Sequence, residues 1–472
     1  MISLKTKPLP HQKKAVEKLS KIKIGALYME QGTGKTRTAL DLIQRRLVMQ
    51  KVNAVLWLCP CSVIQNLKDD IAYHLLENKV PDEIQIFGIE SLSSSQRLYF
   101  KLLHFVTNQK VYLIVDESNL IKNKDAIRTK RITELASKCS YKLILNGTPV
   151  SKNEADMFSQ WYLLDWRILG YRSYYSFAAN HLEFGTKTLP NGEKVTDYEK
   201  IRRVLNVNYL TEKIAPYTYQ CKKEECLKLP PKKYHKIPVS LDYDQYEEYG
   251  RVKYLYLDSV DELQSATIYK LFTALQHVVS GNRVLSWPDE PMRTSPFFKK
   301  YSENPRIYEL KKLMENTIKD KKCIIFAKYQ TEISDIAKML ADMGLSYVLF
   351  TGQINPRQRQ ENKKDFEDKV QFFLANKSCG AYGLNLQICY NIIYYSNDFD
   401  LATRLQSEDR VHRIGQEHEV NIYDIYVEHT IDDFILDCLT KKENLVKRFK
   451  KEIDRIKDKN RGPIYARQGL SK

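Results

Sequence analysis

The run Gly32-Thr33-Gly34-Lys35-Thr36 has the residue types needed to grip phosphate, and it follows an apolar stretch, Ile24-Gly25-Ala26-Leu27-Tyr28. A strand therefore feeds a glycine-rich turn. Gly32 and Gly34 let the backbone fold tightly, so that several N–H groups around Thr33 face inward toward oxygens. Lys35 can reach the β- and γ-phosphates of a nucleotide, and the Thr36 hydroxyl can hold Mg²⁺. A helix is expected over residues 37–47, with its positive end aimed at the same phosphates. Met29 stands where the usual pattern opens with glycine, so the plain alternative is a flexible turn in an ordinary α/β domain.

A second group of chemically useful residues is Val115-Asp116-Glu117-Ser118-Asn119, where a buried strand ends in adjacent carboxylates. Ligands of parallel sheets bind at strand ends. Asp116 would hold Mg²⁺ through its water shell, and Glu117 would polarise an attacking water. Taken alone, an Asp-Glu pair is usually a solvated turn. Asn146-Gly147-Thr148-Pro149 is another small polar turn after a strand. Upstream, Gln12 of Pro10-His11-Gln12 carries an amide able to pair with adenine as donor and acceptor, although an isolated glutamine is more often a surface residue. Near the other end, Arg410 and Arg413 are three apart and on a helix would share a face. Such a pair could stabilise charge on a transferring phosphoryl group, an effect worth about 10³–10⁵ in rate. The competing reading is a pair of weak surface salt bridges to Glu408 and Asp409.

These residues must be positioned by two regions in which short apolar strands alternate with helical patterns, the mark of parallel α/β sheets. One runs from the start to about residue 150, with strands at 54–58, 111–115 and 142–145. The other runs from about 320 to 440, with strands at 323–326, 347–350, 371–374 and 391–395. Residues 150–310 are rich in aromatics and read as mostly helical. Leu229-Pro230-Pro231-Lys232-Lys233 is a stiff, basic break.

The chain has 472 residues, enough for two or more domains with their own cores, and a net charge of +17. That excess favours a polyanionic partner, nucleic acid first. The most basic stretch, 441–461, has helical spacing of Leu445, Val446, Phe449, Ile453 and Ile456. No apolar run is long enough to span a bilayer and no signal peptide is legible, so no membrane role and a cytoplasmic location are expected. Nine cysteines are scattered. The close pairs Cys59/Cys61 and Cys221/Cys226 lack the second half of a zinc motif and read as buried free thiols.

The order of these segments resembles the SNF2 (SWI2/SNF2) family of superfamily 2 helicase-like ATPases, and the resemblance extends from Leu9 to about Lys442. Pro10-His11-Gln12 is similar to the adenine-reading glutamine motif, and Gly32-Thr33-Gly34-Lys35-Thr36 to motif I. Leu58-Cys59-Pro60-Cys61-Ser62-Val63-Ile64 resembles motif Ia, Asp116-Glu117-Ser118-Asn119 the Asp-Glu box, and Asn146-Gly147-Thr148-Pro149 motif III. Cys323-Ile324-Ile325-Phe326 resembles motif IV, Thr351-Gly352 the turn after the next strand, and Gly383-Leu384-Asn385-Leu386 motif V. Asp409-Arg410-Val411-His412-Arg413-Ile414-Gly415-Gln416 is close to the SNF2 form of motif VI and is the most specific match. Ser118-Asn119 replace a commoner Gly-His, and Asn146 replaces a threonine. Residues 219–223 stand where the family often has paired arginines.

The resemblance implies an α/β fold of two RecA-like parallel-sheet lobes with helical insertions. Lobe one would cover 1–225 with an insertion at about 150–215. Lobe two would cover 226–440 with an insertion at about 240–300, and a basic helix and tail would fill 441–472. ATP and Mg²⁺ would be bound through Gln12, Gly32, Thr33, Gly34, Lys35, Thr36 and Asp116, with Glu117 catalytic and with Gly383, Arg410 and Arg413 contributed by the second lobe. DNA, double-stranded or branched, would be contacted through Ser62, Thr148, Thr351 and Asn385. The implied activity is DNA-dependent ATP hydrolysis that drives a monomer along duplex DNA, in replication, recombination or repair, with a possible protein partner from those processes. A compact bacterial or phage-type member fits better than a dedicated nucleosome remodeller. A strand-separating helicase is the first alternative. A non-enzymatic basic scaffold is the second, opposed by the presence of Lys35, Asp116, Glu117, Arg410 and Arg413 together.

Overall fold

Eight of the twelve strands in the two large sheets are buried along nearly their whole length, which is why most of them read as unbroken apolar runs rather than alternating ones. The structure, a computed structural model, describes residues 2–147, 154–189, 192–258, 265–376 and 384–441. The chain divides into two units, Met1–Leu229 and Pro230–Lys472. The division falls between Leu229 and Pro230, at the Pro-Pro break, where a missing N–H and a fixed φ interrupt regular structure.

In the first unit, strands β1 (Ile24–Met29), β2 (Ala54–Cys59), β3 (Ile84–Gly88), β4 (Val111–Val115) and β5 (Tyr141–Asn146) form one sheet with a later strand, β8 (Thr218–Cys221). The order is β3-β2-β4-β5-β1-β8, and every pairing is parallel. One face packs Leu27, Val55, Trp57, Ile114 and Leu143 against helix α1 (Pro10–Leu19) and helix α2 (Lys35–Val48). The other face packs Ala26, Leu56, Leu113 and Ile144 against Trp161 and Leu164 of the helix Met157–Leu169. Each such fully buried aliphatic side chain contributes about 1.5–3 kcal/mol. The segment between β5 and β8 contains this helix and Tyr174–His181, as the aromatic composition suggests. It also holds an antiparallel hairpin, β6 (Leu182–Thr188) with β7 (Lys194–Val204), which the reading of that stretch as mostly helical missed.

The second unit repeats the plan. Strands β9 (Lys232–Val239), β12 (Cys323–Ala327), β13 (Tyr347–Phe350), β14 (Phe372–Asn376), β15 (Asn391–Tyr394) and β16 (Val420–Val427) form a parallel sheet in the order β13-β14-β12-β15-β16-β9. Between β9 and β12 lie the tyrosine-rich helix Tyr243–Asp258, the helix Ser265–Val279 and a small hairpin, β10 (Asn282–Val284) with β11 (Thr294–Pro296). Asp242 starts the first of these by accepting the Gln245 N–H at 2.7 Å. The basic segment 442–472 lies outside the described residues.

A buried ion pair ties this unit together. Arg306 bonds Asp432 at 2.7 Å and donates to the Ile425 carbonyl at 2.9 Å, and both side chains are almost fully enclosed. Arg306 Nε and Asp432 Oδ1 find no hydrogen-bond partner among the described residues, so the pair is imperfectly compensated there. Arg306→Ala is expected to cost about 3–5 kcal/mol, because it leaves a buried carboxylate alone. The paired replacement Arg306→Met with Asp432→Leu should cost less than either single change. Denaturant unfolding of the three variants checks this; a double variant less stable than both singles would contradict it.

Candidate functional site

The carboxyl ends of β1, β4, β5 and β8 carry the chemistry of the first unit. Register brings them level: Tyr28 pairs with Asn146, Met29 with Cys221, and Val115 with Ile144. The loop after β1 turns through Gly32 (φ 80°) and Gly34 (φ 86°), left-handed conformations in which a side chain is strained. Gly34 is constrained twice, since a Cβ there would lie 2.1 Å from Gln12 Nε2. Helix α2 then starts at Lys35, two residues earlier than the sequence suggested, so its first N–H groups belong to the loop. Lys35 Nζ donates to the Met29 carbonyl at 2.9 Å. Thr36 is half-buried on the first turn.

Gln12 lies under this loop and is 3 % exposed. Its amide N–H donates to the Thr33 carbonyl at 3.1 Å, and its amide oxygen accepts the Leu9 N–H at 2.9 Å. In this arrangement Gln12 braces the loop; both ends of its amide are occupied within the chain. Thr33, fully buried, bonds the Glu30 carbonyl through its hydroxyl at 2.6 Å.

Asp116 and Glu117 follow β4 as the sequence suggested. The Asp116 N–H is held by the Leu58 carbonyl at 2.7 Å, and Asp116 Oδ1 accepts the Glu117 N–H at 2.9 Å. Glu117 itself is left-handed (φ 50°), a strained state for a residue with a side chain. The short turn Ser118–Ile121 after it is pinned by Ser118, whose hydroxyl donates to Gln160 Oε1 at 2.6 Å; both residues are buried. Gln160 escaped the sequence reading because nothing in its spacing marks it. Asn119 Oδ1 is buried without a hydrogen-bond partner among the described residues. Gly147, after β5, sits between the two groups, and a Cβ there would lie 3.4 Å from Gln31 Cγ and 3.9 Å from Lys35 Nζ. Burial and the neighbouring Glu117 carboxylate push Asp116 up to about 7, against the pull of Lys35.

The second unit places Arg410 and Arg413 differently from the expectation of a shared helical face. The helix Leu401–Glu408 ends first, and both arginines lie on the turn that follows it. The competing reading, in which Glu408 is a surface partner, also fails. Glu408 is 1 % exposed and bonds Arg404 Nε at 2.8 Å, Lys232 Nζ at 3.0 Å and the Tyr234 hydroxyl at 2.9 Å. Burial alone would raise its pKa, yet Arg404 and Lys232 outweigh it and hold Glu408 below the usual carboxylate range. Arg404 also grips Asp424 through two nitrogens, at 2.5 and 2.9 Å, with its guanidinium 3.6 Å from the Tyr394 ring centroid. Gln416 donates to the carbonyls of Gln387 and Cys389 and so fastens the turn from its far side. Arg404 and Gln416 position the turn, a role the sequence did not disclose.

Arg413 donates to Asn385 Oδ1, so Asn385, expected at the DNA backbone, is tied to an arginine expected at the nucleotide. Ser62, also expected at the DNA backbone, is exposed on a turn after β2. Thr351, expected at the DNA backbone, is 3 % exposed, while the adjacent Gly352 is exposed. Thr148 and Gly383 lie outside the described residues. No helix among the described residues is long and apolar enough to cross a membrane.

Because the pKa of Asp116 is raised on folding, the native chain binds more protons than the unfolded chain between about pH 4 and 7, and ionising this carboxylate lowers stability as pH rises through that window. Asp116→Asn is therefore expected to stabilise the nucleotide-free protein at neutral pH by about 1–3 kcal/mol, with the gain shrinking as pH falls from about 7 and gone near about pH 4. Thermal unfolding at pH 4 and 7.5 reads this; a variant less stable than the parent at pH 7.5 would contradict it.

Comparison with known proteins finds matches along both units. A model of the SNF2-related domain matches residues 80–292, one of the helicase conserved C-terminal domain matches 306–415, and one of the type III restriction enzyme res subunit matches 5–151. An uncharacterised ATP-dependent helicase of Bacillus subtilis, YqhH, is 24 % identical over 95 % of this chain and 80 % of its own length. An ATP-dependent helicase of Mycoplasma pneumoniae is 23 % identical over 89 % of the chain, which spans only 40 % of that relative. The SWI2/SNF2 ATPase core of Sulfolobus solfataricus, solved with double-stranded DNA, aligns over 93 % of this chain and 91 % of its own at 20 % identity and a TM-score of 0.39. With matches to family models along both units and a phosphate loop facing an Asp-Glu strand end, the chain belongs to the SNF2 family of ATP-hydrolysing, helicase-like enzymes.

Proposed function

We propose that this protein uses ATP hydrolysis to move along duplex DNA and to remodel DNA or protein–DNA complexes. The observation that carries the reading is the meeting of the Gly32–Thr36 loop with Asp116 and Glu117 at one sheet edge, where the charge of Lys35 already acts on Asp116. In this reading the loop N–H groups and Lys35 hold the β- and γ-phosphates. Glu117 orients the attacking water and accepts its proton. The strained backbone of Glu117, fixed by the turn that Ser118 and Gln160 pin, sets the direction of that carboxylate. Arg410 and Arg413 supply positive charge to the transferring phosphoryl group.

The donors near the loop are the Thr36 hydroxyl and the Asp116 carboxylate, oxygen ligands of the hard type that suits Mg²⁺. Bound there, Mg²⁺ would neutralise phosphate charge and leave the chain's own groups to orient the reactants. DNA as partner is supported by the net charge of +17 and by family membership. Ser62 and Asn385 remain proposed contacts; a role in replication, recombination or repair is the biological setting of the same proposal.

Lys35→Ala and Glu117→Gln should each lower DNA-stimulated ATPase turnover by about 10²-fold or more, and Arg413→Ala by about 10³-fold. Steady-state phosphate release on duplex, single-stranded and branched DNA, measured side by side, checks both the site and the track. Highest turnover on duplex supports the proposal. Turnover driven only by single strands, with opening of a forked duplex, would replace translocation by strand separation. An unchanged rate in Lys35→Ala would remove the enzymatic reading of this loop. DNA affinity should fall steeply with salt, with a log–log slope of about −0.9 per phosphate contact.

A further inference from the structure

The expectation that Cys221 and Cys226 are only buried thiols leaves out a residue from the start of the chain. His11 lies beside them, and a ring nitrogen of His11 and the two sulfurs are all within 4.8 Å of one another. We propose that His11, Cys221 and Cys226 form a binding site for a borderline-soft divalent transition-metal ion, zinc in the first place, against the shoulder of the phosphate loop.

The donor set is chemically selective. Two thiolates and an imidazole favour zinc over the hard cations that suit Thr36 and Asp116. The size also fits. With Zn–S near about 2.3 Å and Zn–N near about 2.0–2.1 Å, tetrahedral ligand atoms sit about 3.5–3.8 Å apart, so the three donors need to draw in by about 1.3 Å at most. The fourth position is open to water or another ligand.

The state of His11 points the same way. The residue is 6 % exposed, and its Nε2 lies 2.8 Å from the Thr33 carbonyl. A carbonyl can only accept, so Nε2 carries a proton, which in the neutral ring leaves the lone pair on Nδ1. Nδ1 is buried and has no hydrogen-bond partner among the described residues. A buried imidazole nitrogen left without a partner is costly unless something binds it. A ring N–H donated to a backbone carbonyl, with the other nitrogen facing a metal, is also the usual arrangement of a ligating histidine.

The three residues come from different elements: His11 from α1, Cys221 from the end of β8, and Cys226 from the short turn of helix Lys223–Cys226. The Thr33 hydroxyl also contacts the Cys221 thiol. An ion held here would join α1 to β8 and fix Thr33 between them. It would stiffen the loop from the side, as a structural site separate from the oxygen donors at Thr36 and Asp116.

The test uses the full, reduced chain freed of metal. Co²⁺ alone, added in increments, should produce thiolate-to-cobalt charge-transfer absorption that saturates at one equivalent and is displaced by Zn²⁺. Zn²⁺ should also raise the melting temperature. Cys226→Ser, at the partly exposed member of the set, and His11→Gln should each weaken binding by about tenfold or more while circular dichroism shows the fold retained. Absence of the charge-transfer band, a band unchanged in both variants, or a Cys221–Cys226 disulfide in the reduced protein's place with no cobalt bound would each overturn the proposal.

Discussion

Two adjacent carboxylates at the end of a dry strand repel each other, and Lys35 is the charge that makes their proximity tolerable. Asp116 is pushed up by burial and by Glu117 and is drawn down by Lys35, so this edge of the sheet is an electrostatic balance rather than a relaxed surface. The rest of the first unit serves to keep the three groups from moving apart. Parallel pairing levels the ends of β1, β4 and β5, and buried residues on both faces fix the height of each strand. The polar residues around them act on backbone. Gln12 braces Thr33, and the Ser118–Gln160 bond pins the turn after Glu117.

The second unit solves a related problem with opposite charge. Its arginine turn is irregular, so a helix cannot hold it. Arg404, Glu408, Asp424 and Lys232 form a buried, nearly satisfied network next to the turn, and Gln416 fastens its far side through backbone carbonyls. Such networks are costly to bury and specific once complete. Arg404 is thus a structural arginine beside two that are proposed to be functional, and residue type alone does not separate them.

Much of the candidate site was legible because it depends on short, local patterns. A glycine-rich turn after an apolar run, and carboxylates after another, appear in the sequence in the order in which the sheet uses them. The strands at 54–58, 111–115 and 323–326 were legible for the same reason, since burial on both faces leaves a continuous apolar signature. Strands β8, β9 and β16 were harder: β8 has four residues, and β9 is an edge strand with exposed lysines and an exposed tyrosine, Tyr234. Long-range partnerships were not legible at all. Nothing local connects Ser118 to Gln160, Arg404 to Asp424, or His11 to Cys221. The burial of Thr351 follows from packing between elements, and spacing carries no information about it.

The position of β8 bears on how the chain is made. β1 emerges from the ribosome early, yet its two neighbours in the sheet are β5 and β8, from residues 141–146 and 218–221. Until Thr218–Cys221 has been synthesised, the strand that leads into the phosphate loop has a bare outer edge. A nascent chain therefore carries an unpaired, apolar strand for most of the first unit's translation, a state prone to wrong pairing. A ribosome stalled before residue 218 would therefore hold every residue of the phosphate loop and still lack the finished sheet beneath it.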